Sequence, residues 1–79
     1  MVYETTTKLN CEQVKKKAQQ YFGKENGLEE KENSGNCLNF EGGGGHVNVT
    51  CCPEEDGPVT VELETREWDR QVKSFMKNL

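Results

Sequence analysis

The sequence predicts an α+β domain: a five-stranded antiparallel sheet in the order strand, helix, four strands, helix, with both helices packed on one face. Two apolar periodicities and one punctuation mark carry that expectation. Near each end of the chain apolar residues recur at helical spacing, and between them they alternate with polar residues at a period of two. Four consecutive glycines, Gly42 to Gly45, separate two of the alternating runs and read as a hairpin loop.

The opening run "VYETTTKL" is rich in threonine, with Tyr3 and Leu9 on one side, and reads as a first strand. Asn10 is then a good helix N-cap, and Gln13 three residues later completes a capping box. Leu9 before the cap and Val14 after it fit a hydrophobic staple. Cys11, Val14, Ala18 and Tyr21/Phe22 form one apolar stripe, and Gly23 is expected to end the helix as its left-handed residue.

The four middle strands follow. "LEEKEN" has Leu28 as its single apolar anchor, and its charges suit a sheet edge. In "CLNFE" Leu38 and Phe40 face the core. In "HVNVTC" Val47, Val49 and Cys51 do so, and in "VTVELET" Val59, Val61 and Leu63. Thr65 is expected to cap the second helix. There Trp68, Val72, Phe75 and Leu79 lie on one face with Met76 at its edge, and Trp68 serves as the buried anchor. A meander of the last four strands, with the first strand beside the fifth, is the economical arrangement.

This order of elements resembles the TATA-box-binding-protein-like topology and a reduced helix-grip domain. The resemblance covers nearly all of the chain as an order of elements and brings no functional residue with it. The outer sheet face departs from a DNA-binding saddle, since Glu4, Glu41, Glu62 and Glu64 lie there and repel phosphate.

Composition narrows the function classes. Seventy-nine residues make a single domain, 1–79, with room for one core. A net charge of −4 argues against nucleic acid as a partner. No apolar run reaches the ~18–20 residues of a membrane span, and "MVYETTTKLN" lacks the pattern of a signal peptide, so a cytoplasmic chain is expected. In that compartment Cys11, Cys37, Cys51 and Cys52 are expected to stay reduced, with no structural disulfide.

The glycine run offers no phosphate-binding loop, because a β-patterned segment follows it rather than a helix. A four-residue loop over 42–45 also fixes a register, in which Glu41 faces His46, Asn39 faces Asn48, Cys37 faces Thr50, Phe40 meets Val47 and Leu38 meets Val49. That register separates His46 from Cys52 by about 20 Å and from Cys37 by about 13 Å, too far to share a zinc ion. His46 is then a surface residue paired with Glu41. No metal, cofactor or catalytic residue is expected.

The leading expectation is a non-catalytic interaction or accessory module, docking a protein partner or a second copy through an exposed face of Asn39, Asn48, Thr50 and Thr60 with Glu41 and His46. One alternative is a binder of a small-molecule or lipid-like ligand between helices and sheet, with a pocket near Tyr21, Trp68 and Phe75. Another is a thiol-based redox or metal-capture module built on Cys37 and Cys52, diagonal neighbours on the outer face.

Overall fold

The computed structural model describes residues 1–53 and 57–79. The elements are β1 (Val2–Thr7), α1 (Cys11–Ala18) with a π-helical continuation (Gln19–Glu25), β2 (Glu29–Ser34), β3 (Cys37–Gly42), β4 (Gly45–Cys52), β5 (Val59–Arg66) and α2 (Asp69–Lys77). Every strand pairing is antiparallel, and the order across the sheet is β1-β5-β4-β3-β2. The fold is therefore the predicted α+β architecture, with β1 beside β5.

Local chemistry starts α1 where the spacing predicts. Asn10 Oδ1 accepts from the Gln13 amide at 2.8 Å, and Gln13 Oε1 accepts from the Asn10 amide at 3.0 Å. Two of the donors that every helix start leaves open are thereby satisfied. The end of this helix differs from expectation. Gly23 does not stop it; the chain widens into π-helical turns and leaves through Gly27 at φ 70°. The Tyr21 carbonyl explains the longer run, because it accepts both the Asn26 backbone amide at 3.0 Å and the Asn26 side-chain amide at 2.8 Å. These bonds carry the helix past Gly23 and turn Phe22 fully into the core.

The β3–β4 hairpin has the predicted register at all five positions named above. Its loop is tighter than expected. Gly42 pairs with Gly45, leaving only Gly43 and Gly44 to turn, at φ 57° and 81°. Two consecutive left-handed residues are what a type I′ turn requires, and that turn matches the twist of the strands it joins. Gly45 is required for a different reason. A Cβ there would overlap the carbonyl oxygen of Arg66 on β5, so the strands approach more closely than any side chain allows.

The second helix begins later than the sequence suggests. Thr65 is not its cap but a buried core position of β5, where its hydroxyl donates to the His46 carbonyl at 2.9 Å. A β-branched residue continues a strand well, so the alternation runs on to Arg66 and the chain turns through Glu67 at φ 74°. Trp68 occupies the N-cap of α2 and is half-buried rather than enclosed. Its indole N–H donates to the Gly42 carbonyl at 2.9 Å, which ties the start of α2 to the glycine hairpin.

Both helices cover one face of the sheet. Val14, Ala18 and Phe22 from the first and Val72 and Phe75 from the second meet Leu38, Phe40, Val47, Val49, Val61 and Leu63 from the strands. Phe22 stands at the centre, its ring 5.7 Å from that of Phe40 and 5.1 Å from that of Phe75. The expectation of four reduced cysteines is overturned. Cys11 on α1 and Cys51 on β4 are joined by a disulfide, with Cα atoms 5.7 Å apart, while Cys37 and Cys52 are free and exposed. The reason is geometric: the stripe of α1 and the inward face of β4 meet, and they bring two thiols within bonding range. Among the described residues no helix is long and apolar enough to cross a membrane.

Candidate functional site

The sheet face away from the helices carries the polar residues that the alternation turns outward. Cross-strand pairing sorts them into rows. One row runs Glu64, Asn48, Asn39, Glu32 and a second runs Arg66, His46, Glu41, Glu29. A third runs Glu4, Glu62, Thr50, Cys37, Ser34. A shallow trench of about 790 Å³ follows the first two rows, lined by Asn39, Glu41, His46, Asn48, Glu64 and Arg66 and extending over Lys31 and the glycine turn.

Four of these side chains form one hydrogen-bonded array across three strands. The Asn39 amide donates to Asn48 Oδ1. The Asn48 amide donates to Glu64 Oε1 at 2.9 Å, and His46 Nε2 meets the same oxygen at 3.1 Å. The backbone register sets His46 opposite Glu41 as expected, yet its side chain goes to Glu64. Glu64 is a diagonal neighbour within reach of a ring, and Asn48 already holds its carboxylate in place. A carboxylate with two donors is the better partner.

That arrangement holds the Glu64 carboxyl below the ordinary carboxylate range, chiefly through the His46 hydrogen bond and then through that of Asn48. The depressed value means that the array is complete above the ordinary carboxylate pKa and loosens as the pH falls through the folded value. In a titration followed by NMR, Glu64 is expected to ionise below an unperturbed glutamate. Asn48→Ala with His46→Gln is expected to return it toward the ordinary value. An unchanged Glu64 titration in that variant would remove the array from consideration as a coupled unit. A carboxylate held ionised is also poorly suited to act as a general acid near neutral pH.

The other predicted residues divide. Thr50 joins the face, with its hydroxyl 3.8 Å from Cys37 Sγ. Thr60 lies opposite Thr6 and Cys52, beyond the array. Cys37 and Cys52 keep their diagonal placement on the outer face, since Cys37 pairs with Thr50 and Cys52 follows two residues later. The pocket residues are split. Tyr21 and Phe75 stack at 5.9 Å in a groove of about 410 Å³ between the helices, edged by Lys16, Lys17 and Asn78. Trp68 sits seven residues before Phe75, about 10 Å away along the helix, at the glycine hairpin. Among the described residues no three His, Cys, Asp or Glu side chains gather as a metal site.

Glu64 as the shared acceptor is the residue that sequence reasoning passed over; it stood there only as one more outward glutamate. Its signal was available, because β5 lies beside β4 and places Glu64 opposite Asn48 once the register of both hairpins is drawn. The chain matches no protein-family model, and no curated protein matches it.

Proposed function

We propose that this chain is a small non-catalytic interaction module that docks a protein partner on the outer face of its sheet. The Asn39–Asn48–Glu64–His46 array carries this reading. Its side chains are already held by one another beside an open trench, so a partner that meets them encounters ordered donors and acceptors. Less rotamer freedom is then lost on contact. The carboxylates of Glu4, Glu41, Glu62 and Glu64 on the same face oppose a nucleic acid, and they oppose a second copy laid face to face. A different protein is the partner that this charge distribution favours.

Asn48→Lys with Thr50→Glu tests the face, because exposed strand positions change at little cost to folding while a bulky charge blocks a flat contact. The double variant is expected to weaken partner capture by about tenfold or more with unchanged circular dichroism. Lys16→Glu on the helix side is expected to leave capture unaltered. Equal capture by the double variant, or a wild type that captures nothing, returns the array to ordinary solvated sheet.

A second reading has its own observation, the groove floored by the stacked Tyr21 and Phe75 rings, which suits a small ligand with an apolar body. The Cys11–Cys51 bond bears on location. Disulfides persist in oxidising compartments and are rare in the cytosol, which favours an oxidising setting over the cytoplasmic one that the sequence suggests.

A further inference from the structure

The two edges of the sheet are built differently. β2 carries Glu29, Glu30, Lys31 and Glu32 and breaks its register with a bulge between Glu30 and Glu32. Charges and bulges of that kind keep other strands from adding to an edge. β1 has neither device: its six residues pair with β5 in unbroken register, three of them are threonine, and Glu4 is its single charge.

Hydrogen bonding shows which backbone groups β1 leaves open. Met1 and Thr65 exchange both of their main-chain bonds, at 2.6 and 2.9 Å. Antiparallel ladders alternate, so Tyr3, Thr5 and Thr7 also bond to β5, whereas Val2, Glu4 and Thr6 turn their N–H and C=O groups away from it. β1 is the last strand in the order, so among the described residues those groups face no further strand.

The same edge carries an electrostatic conflict. Glu4 stands directly opposite Glu62 in the closer, non-hydrogen-bonded kind of pair. Like charges so placed destabilise a sheet. Neither glutamate has an ion-pair partner among the described residues. Their neighbours on this face, Val2, Thr6, Thr60 and Glu64 with Asn48, Thr50 and Cys52 on β4, supply no cation.

We infer that the open edge of β1 is a strand-addition site for an extended peptide segment with a lysine or arginine opposite Glu4. Such a segment exchanges main-chain bonds with Val2, Glu4 and Thr6, and its central basic side chain projects onto the outer face between the two carboxylates and solvent. Its flanking side chains alternate to the helix side, where the Lys73 ammonium lies 5.8 Å over the Tyr3 ring and the Tyr3 hydroxyl donates to Asp69 at 2.6 Å; charges of both signs stand there, so these positions are uncharged. A second copy is a poorer occupant. Antiparallel pairing of two β1 strands through all three open residues sets Glu4 against the Glu4 of the other copy. The site is separate from the Asn48 array and does not depend on it.

The test titrates the labelled full chain, followed by NMR, with a blocked heptapeptide of threonines bearing valine at its third and fifth positions and lysine at its centre. A second peptide carries glutamate at the centre. Amide shifts are expected at Val2, Glu4 and Thr6, with the lysine peptide binding about fivefold more tightly or better. Glu4→Lys is expected to reverse that preference. Thr6→Pro removes an outward N–H that β5 does not use, so it is expected to abolish binding while the circular dichroism stays the same. If that variant unfolds, the reversal by Glu4→Lys still decides the matter. Shifts that map elsewhere, equal affinity for the two peptides, no binding of either, or self-association of the wild type through β1 would each overturn the inference.

Discussion

Phe22→Ala is expected to lower stability by about 3–5 kcal/mol, the range for deleting a large aromatic from a packed core. Phe22 has no solvent exposure, and its ring lies against Tyr21, Phe40 and Phe75 at centroid distances of 5.1, 5.7 and 5.1 Å. It joins the first helix, the second helix and the sheet, so no single neighbour can relax into the space without leaving another. A domain of this length has roughly 4–12 kcal/mol of stability in all, at ~0.05–0.15 kcal/mol per residue. The variant is therefore expected to be largely unfolded, or to melt at a small fraction of the wild-type urea concentration. Trp68→Ala is expected to cost less, because the indole is half-buried and its contacts lie at the margin of the core. A Phe22→Ala protein with a urea midpoint near that of the wild type would show that the three layers do not share one centre.

Reduction of the Cys11–Cys51 bond is expected to have an effect of similar size. The bond spans 40 residues of sequence. Closing a loop of that length removes unfolded-state entropy worth about 4 kcal/mol in the chain-entropy description. For a domain of this size that corresponds to a fall in melting temperature of roughly 15–30 °C. The measurement compares thermal melts with and without a phosphine reductant, alongside thiol alkylation of the denatured protein. Two reactive thiols are expected before reduction, at Cys37 and Cys52, and four after it. Cys37→Ser with Cys52→Ser should leave the oxidised melt unchanged. Four reactive thiols in the unreduced protein, or identical melts, would contradict the bond.

Both expectations depend on how helix residues meet strand residues, and that is where the sequence was least legible. Cys11 lies on the apolar stripe of the first helix and Cys51 on the inward side of a strand, and each assignment follows from periodicity alone. Nothing in either pattern says that the two come within 5.7 Å, because a stripe gives a direction toward the core and not a partner within it. The reducing chemistry of a cytoplasmic setting then pointed to free thiols. Trp68 shows the same limit: its spacing from Val72 and Phe75 suits a buried helix face. The left-handed turn at Glu67 instead moves the cap from Thr65 to Trp68, three residues later, and leaves the indole on the hairpin backbone.

The sequence by itself determined the order of elements, the antiparallel meander, the inward sets of β3, β4 and β5 and the register of the glycine hairpin. These follow from periods of two and 3.6 and from the residues that suit turns and caps, all of which act over a few positions along the chain. Only the tertiary structure decided the disulfide, the π-helical continuation past Gly23, the choice of Glu64 over Glu41 by His46, and the contrast between a guarded β2 edge and an open β1 edge. Each of these is a choice among partners distant in sequence. Such a choice is made by which surfaces meet once the layers pack, and local pattern carries no record of it.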